Sequence, residues 1–487
     1  MADPRPLLDS YPLYIDGRWV DPESGSYDDI CPATEATIAH APDAGLADVD
    51  AAIAAARRAF DSGPWASAAP EERARCITQL GNALMQHADE FFALSQVEWG
   101  CTANERLIQI DGPAFMALRA GELAAQLTDE PINAFGSPGT TVLCHEPLGV
   151  VSILTPWNFP HSLNVMKVGN ALAAGNTVVL KPSPLTPLAG LALARIIDEH
   201  TDIPSGVVNV ITPGGIEASK MLTTDPRIDM ISFTGSSAVG RGVMAAAGGT
   251  MKRILLECGG KSAGIFLGDV DVTDGLLQRF LFDGCSLHAG QACILQSRLL
   301  LPELIHDKVV DRLVELARGV KVGDPTDPEV QMGPLISSAQ RDRVEAHVAS
   351  ALTDGATLAV GGRRPAGLEK GFYFEPTILT DVTPGARIAQ EEVFGPVLTV
   401  FRYRDDDDAV TIANNSQYGL SGAVWGTDVD RAVAVARRIR TGQIAVNGCI
   451  PGDAPFGGFK QSGLGREGGG LQGLHRYMEP KAIGIPT

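Results

Sequence analysis

No CxxC pair, no apolar run long enough to cross a membrane and no excess of positive charge occur in this 487-residue sequence. The first absence argues against zinc ribbons and redox dithiols. The eight cysteines, at 31, 76, 101, 144, 258, 285, 293 and 449, are too scattered for a disulfide framework. Cys285 and His288 spell a CxxH, yet no further ligands stand at compatible spacing, so no metal site is expected. The second absence leaves no membrane span, and Met1-Ala2-Asp3-Pro4-Arg5-Pro6 lacks the charged-then-apolar layout of a signal peptide. The third follows from 39 Lys and Arg against 58 Asp and Glu, a net charge of -19 that repels nucleic-acid phosphates. Internal repeats and low-complexity tracts are missing too. A soluble cytoplasmic protein with reduced thiols, and with neither nucleic-acid nor membrane partners, is the expectation.

What is present is a globular composition, 45% hydrophobic and 20% charged, in a chain too long for a single core. Two or three domains are expected. The first ten residues are rich in proline and expected to be loose. Residues 14–20 form a hairpin pattern turning at Asp16-Gly17, followed by helical patterns over 47–60 and 73–97, the latter opened by Pro70-Glu71-Glu72. From Gly149 onward, β-branched runs at 150–154, 177–180, 207–211, 230–233 and 262–267 alternate with helical segments such as 187–200. A second alternating series runs from 298 to 447. Both series predict parallel sheets covered by helices, an α/β fold with two such domains. Residues 140–143, flanked by Gly136, Pro138 and Gly139, read as an excursion from the first domain.

Three literal motifs are discounted by their contexts. Gly463-Leu464-Gly465-Arg466-Glu467-Gly468 spells GxGxxG but follows no strand, so a loop is the better reading. Gly260-Lys261-Ser262-Ala263-Gly264 spells GxSxG, yet its serine precedes an apolar run instead of following a strand. The same Gly-Lys-Ser lacks the first P-loop glycine, since position 255 is Leu255. A better nucleotide candidate is Phe233-Thr234-Gly235-Ser236-Ser237, which follows a strand-like run and opens a helix; ordinary capping explains it equally well in isolation.

Chemistry concentrates at Gly290-Gln291-Ala292-Cys293 and at Glu257-Cys258-Gly259-Gly260, a candidate thiol and a candidate base on backbone-permissive sequence. Either residue alone is more often inert. Asn158, in Thr155-Pro156-Trp157-Asn158-Phe159-Pro160, offers an amide for an oxygen developing charge, or simply marks a rigid turn. Lys181 closes the next strand, where it is either solvated or within reach of a ribose or phosphate. The joint appearance of Cys293, Glu257 and Asn158 favours covalent catalysis on a carbonyl.

Pro156-Trp157-Asn158-Phe159-Pro160, Phe233-Thr234-Gly235-Ser236, Glu257-x-Gly259-Gly260-Lys261, Gly290-Gln291-x-Cys293, Glu391-Glu392-x-Phe394-Gly395-Pro396 and Pro455-Phe456-Gly457-Gly458-Phe459-Lys460-x-Ser462-Gly463 together resemble the motif set of the aldehyde dehydrogenase superfamily. They occur in family order, and the resemblance extends over nearly the whole chain. It implies a Rossmann-like NAD(P) domain (1–124 and 148–259), a catalytic α/β domain (260–463) and a small β oligomerisation arm (125–147 and 464–487). It implies a homodimer or homotetramer as well. By the same resemblance Cys293 attacks the aldehyde, Asn158 and the Cys293 N–H hold the oxyanion, and Glu257 activates the water that hydrolyses the thioester. Trp157, Lys181, Gly235, Ser236, Glu392 and Phe394 are implied cofactor contacts.

Two positions depart from the family pattern. Cys258 replaces the usual leucine and is expected to be inert. Pro184 stands where NAD-preferring members carry a ribose-binding glutamate, so NAD is the first expectation and NADP is possible. Phe159, Leu163, Met166, Leu287, Ile294 and Phe456 should line the substrate entrance. All are apolar, without an arginine to clamp a second carboxylate, which points to an aliphatic or aromatic aldehyde. The alternative function is a thiol esterase or hydrolase using Cys293 without nicotinamide; a non-enzymatic relative is disfavoured by retention of Cys293, Glu257 and Asn158.

Overall fold

The computed structural model describes residues 8–486; most of the proline-rich opening lies outside them. The chain folds into two large sheets with helices on their faces, plus a three-stranded and a two-stranded antiparallel sheet. The hairpin forms as expected: Leu13–Ile15 pairs with Arg18–Val20. Asp16 and Gly17 at its tip both take positive φ, 57° and 70°, matching the twist of the paired strands.

The first large sheet has five parallel strands in the order Arg253–Glu257, Met230–Thr234, Val150–Leu154, Thr177–Lys181 and Val208–Val210. The N-terminal hairpin extends one edge and Gly463–Leu464 the other. These strands are apolar on both faces because helices cover both, and the core sits between. The chain runs outward from Val150–Leu154 to one side, then returns to build the other. A crevice therefore opens beyond the carboxyl ends of Val150–Leu154 and Met230–Thr234, where the strand order reverses.

The second sheet follows the order Thr357–Val360, Thr377–Thr380, Val397–Tyr403, Arg298–Pro302, Ala263–Phe266, Gly422–Trp425 and Ala445–Val446, parallel except for the first strand. Two corrections to the sequence reading follow. The run at 262–267 joins this second sheet, pairing with Arg298–Pro302 and Gly422–Trp425. The parallel strand Arg253–Glu257 takes the place expected for it in the first sheet. Between the two, residues 258–262 carry the chain across from one sheet to the other.

The helical pattern at 73–97 is two helices, Pro70–Gln86 and Ala88–Glu98. His87 breaks them at φ −100°, ψ 12°, and its ring bonds Glu90 at 3.1 Å. The first helix packs mainly on Gly112–Ala124 and the second on Pro187–His200, so the chain must change direction between them. Asp89 and Glu90 open the second helix with favourable charge at its positive end.

Residues 140–147 leave the body as a strand that pairs along its whole length with Met478–Ile485 and, on its other side, with Glu130–Ile132. Between Gly463–Leu464 and Met478 the chain stays on the first sheet, where the turn Leu471–Leu474 packs against the helix Pro160–Ala173. No disulfide forms among the described residues. No helix there is long and apolar enough to cross a membrane, and no cluster of three metal-ligating side chains occurs.

Candidate active site

Each chemically interesting residue sits at a strand end or on a loop the two sheets bring together. Thr155–Asn158 follows Val150–Leu154, Gly235 and Ser236 follow Met230–Thr234, Lys181 ends its own strand, and Glu257 ends Arg253–Glu257. Cys293 comes from the loop that precedes Arg298–Pro302 in the second sheet. The loop reaches the first sheet's crevice because Gly260, on the crossing segment, touches the Cys293 backbone; a Cβ on Gly260 would collide with the Cys293 carbonyl.

The loop that carries Cys293 is over-determined. His288, Ala289 and Gly290 take φ of 49°, 50° and 77°, three left-handed residues in succession. For the two non-glycine residues this costs roughly 1–3 kcal/mol each, so surrounding contacts must impose it. Gly290 lies against Gly395 and Pro396, where no side chain fits. The Gln291 amide donates to the His288 carbonyl at 2.9 Å and accepts from the Ile336 N–H at 2.9 Å. Asn158 donates its amide to the Gln291 carbonyl at 2.8 Å. That bond fixes the Asn158 side chain and leaves its second N–H to point elsewhere.

Cys293 is partly exposed, and its thiol is pushed up to about 12, first by burial and then by the charges of Glu392 and Glu257. Glu257 is buried, and neither of its oxygens has a hydrogen-bond partner. Burial raises its carboxyl well above the usual range. Glu467 adds to the rise, while Lys167 and Arg466 oppose it. Gly457, at φ +153°, packs so closely that a Cβ there would meet Glu257 Oε1 at 2.6 Å.

Behind Glu257 lies a cluster that sequence reasoning missed. Lys167 and Glu467 form a fully buried ion pair; Ser232 accepts from Lys167 at 3.0 Å and shares a hydrogen bond with the Tyr477 hydroxyl at 3.0 Å. The available signals were a lysine inside an apolar helix and a glutamate inside a glycine-rich run. Glu467 belongs to the GxGxxG match at 463–468, whose first residues are an edge strand beside Leu256 and Glu257.

The crevice also has the features of a dinucleotide cradle. Ser236 is the exposed N-cap of the helix Ser237–Ala247, accepting from the Val239 N–H at 3.3 Å. Gly235 must stay a glycine, because a Cβ would meet the Phe233 ring at 2.6 Å. Thr234 keeps a buried hydroxyl without a partner. Lys181 is half-buried, its amine lowered to about 8 by burial. Trp157 and Phe394 meet edge-on with centroids 5.2 Å apart. Glu392 accepts the Gly260 N–H at 2.9 Å, and burial pushes its carboxyl up to about 7. Cys258 is buried, its thiol raised to about 11 chiefly by burial, as befits an unreactive position.

The expected entrance residues fall into groups. Phe159, Leu163 and Met166 share one half-exposed face at the start of Pro160–Ala173. Leu287 is buried with Ala292 and Leu295, and Phe159 packs on that cluster. Ile294 is 41% exposed beside the thiol. Phe456 is tied by paired backbone hydrogen bonds of 2.6 and 2.7 Å to Glu467.

Comparison with known proteins adds a second kind of observation. Residues 19–483 match the model of the "Aldehyde dehydrogenase family". A betaine aldehyde dehydrogenase of Bacillus subtilis is 38% identical over 97% of each chain. An aldehyde dehydrogenase of Mycobacterium tuberculosis, solved as a complex with NAD+, superposes with a TM-score of 0.94 at 41% identity, covering 99% of both chains. A mutant aldehyde dehydrogenase of Pseudomonas syringae, solved with NAD+ and octanal, gives 0.94 at 37% identity over 100% of this chain and 99% of that one.

Proposed function

This chain belongs to the aldehyde dehydrogenase family, and from that premise we propose that it oxidises an apolar aliphatic or aromatic aldehyde to a carboxylic acid with NAD+, using Cys293 as nucleophile. The observation that carries the reading is the convergence of Cys293, Asn158 and a bare, buried Glu257 at the crevice where the strand order reverses. The residues fit a dinucleotide. The Ser236 helix N-terminus suits a pyrophosphate, Lys181 and Glu392 suit the two riboses, and Trp157 with Phe394 flank the space for a nicotinamide. When bound, NAD supplies the acceptor for the aldehyde's hydride.

The chain's own residues do the rest. The Cys293 thiolate adds to the carbonyl carbon, and the free N–H of the Asn158 amide, with the Cys293 N–H, takes the developing oxyanion. Fixing of Asn158 by the Gln291 carbonyl means this donor needs no rearrangement as charge builds. Once the carbon is at the thioester level, Glu257 takes a proton from water, which attacks and releases the acid. Burial raises its carboxyl well above the usual range, which makes the ionised form a stronger base toward water.

Pocket chemistry supports a neutral substrate. Phe159, Leu163, Met166, Leu287, Ile294 and Phe456 offer only two phenyl rings and no tryptophan or tyrosine, a poor match to the aromatic cages that hold quaternary ammonium groups. An alkyl or aryl tail is therefore favoured over betaine aldehyde, the substrate in the name of the Bacillus subtilis relative. The three-stranded arm, with Met478–Ile485 largely exposed, supports assembly as a homodimer or homotetramer. The acidic composition suits the cytoplasm.

The test is a comparison of kcat/KM for hexanal, benzaldehyde, betaine aldehyde and succinic semialdehyde, each with NAD and with NADP. Highest values for hexanal or benzaldehyde are expected. A preference for either charged aldehyde would overturn the substrate assignment. Ester cleavage without any nicotinamide reduction would favour the hydrolase reading.

A further inference from the structure

The left-handed run ahead of Cys293 is held at its start by a residue from elsewhere in the chain. Glu105 ends the short turn Ala103–Glu105 that follows the helix Ala88–Glu98, and Arg106 alone separates it from the π-helical turn Leu107–Asp111. A second π-helical turn, Phe282–Ser286, leads into His288. Glu105 Oε1 accepts the His288 backbone N–H at 2.6 Å, bridging 183 residues. Its other oxygen accepts the Gln109 amide at 2.7 Å, and the Gln109 carbonyl in turn accepts the Trp99 indole N–H at 2.7 Å. Trp99, Glu105, Gln109 and His288 are all buried. The Trp99 N–H, one Gln109 amide hydrogen and the His288 N–H each meet an acceptor in this chain. The His288 ring makes no hydrogen bond, its Nδ1 standing 3.8 Å from Glu105 Oε2; the hydrogen-bonded tie to Glu105 is made by the backbone N–H.

Two features set this contact apart from an ordinary buried hydrogen bond. It ends on the first of three consecutive left-handed residues, a conformation that His288 and Ala289 would leave if released. Those residues are followed at once by Gln291, which orients Asn158, and by Cys293. A change of φ at His288 therefore moves the nucleophile and the oxyanion donor together.

We propose that Glu105 is a positioning residue for the nucleophile, clamping the His288 N–H so that the left-handed run presents the Cys293 thiol and N–H to the substrate carbonyl. This rests on the assignment of Cys293 above. The clamp acts on geometry alone and transfers no proton to substrate. Its predicted signature is a loss of kcat that exceeds any change in KM, because Phe159, Leu163, Met166 and Phe456 of the apolar entrance come from other segments.

Three variants test it: Glu105→Leu, Glu105→Gln, and the exchange Glu105→Gln with Gln109→Glu. The first removes the acceptor. The second sets two amide donors against each other at position 109. In the exchange, the new amide oxygen takes the His288 N–H while its nitrogen donates to the carboxylate now at 109, whose second oxygen takes the Trp99 N–H. The readouts are the rate of Cys293 alkylation by iodoacetamide, followed by mass spectrometry, together with kcat, KM and the unfolding midpoint. Glu105→Leu and Glu105→Gln are expected to slow both alkylation and kcat about 10- to 100-fold, with the exchange recovering most of the loss. Unchanged alkylation and kcat in a folded Glu105→Leu protein would overturn the proposal. If Glu105→Leu does not fold, equal rates in Glu105→Gln and the exchange would overturn it. Full turnover by Cys293→Ala would instead remove the nucleophile assignment itself, whereas an inactive Cys293→Ala beside unaffected Glu105 variants would sink only the clamp.

Discussion

Asn158 hands one amide hydrogen to the carbonyl of Gln291 at 2.8 Å, two residues before the thiol it is proposed to assist. A side chain from the first sheet is thereby locked to the loop of the second. Asn158→Ala removes the proposed oxyanion donor and this lock together. It is expected to lower kcat about 100- to 1000-fold, the usual effect of losing one such donor. Steady-state kinetics with hexanal check it; a loss confined to KM would contradict the role.

Glu257→Gln keeps the shape of the buried carboxylate and removes its basicity. The thioester should then form but hydrolyse slowly. Rapid quenching followed by mass spectrometry of the Cys293 peptide should reveal acyl-enzyme accumulating in the variant and not in the wild type. Equal steady-state rates would mean that another group activates the water.

The pH dependence follows from the same two groups. Burial raises both the Cys293 thiol, to about 12, and the Glu257 carboxyl. A raised value keeps each group protonated, and so inactive, to higher pH than usual. Activity should therefore rise with pH from the acid side through neutrality. The thiol should be read from kcat/KM against pH and the carboxyl from kcat, so Glu257→Gln should remove the pH dependence due to the carboxyl from kcat. A flat profile from pH 6 to 9 would argue against proton loss from either.

Lys167→Met leaves the buried Glu467 without its cation, held only by the Ser232 and Tyr477 hydroxyls. Removing one partner of such a pair costs about 3–5 kcal/mol, read as a lower denaturant midpoint at unchanged slope. Glu257 loses a nearby positive charge, so its carboxyl should rise further and the active pH range should shift upward.

Pro184→Glu restores a carboxylate near Lys181, where the adenosine ribose is expected. Its repulsion of a 2′-phosphate should favour NAD over NADP by about tenfold, equivalent to ~1.4 kcal/mol, measured as the ratio of kcat/KM values. An unaltered ratio would place the ribose elsewhere.

The strand–helix alternation and the Asp16-Gly17 turn were legible because period and turn chemistry are local signals. Cys293, Glu257 and Asn158 could be singled out as candidates because each sits among glycines or prolines whose backbone freedom or rigidity marks a turn. What escaped was non-local. Arg253–Glu257 is a strand because Met230–Thr234 pairs with it, and five residues beside a glycine-rich stretch announce little by themselves. The break at His87 answers to two different helix partners. Lys167 and Glu467 lie 300 residues apart, and neither residue type at its position foretells the other. Glu105 and His288 are hidden for the same reason.

Glu467 and Tyr477 both come from the stretch that leads into the arm strand Met478–Ile485. These residues leave the ribosome after Cys293, Asn158 and Glu257 have all been made. Until they dock, Lys167 has no counter-ion and the wall behind the base is open. The buried charge network behind Glu257 is therefore completed last, by residues from the C-terminal stretch of the chain.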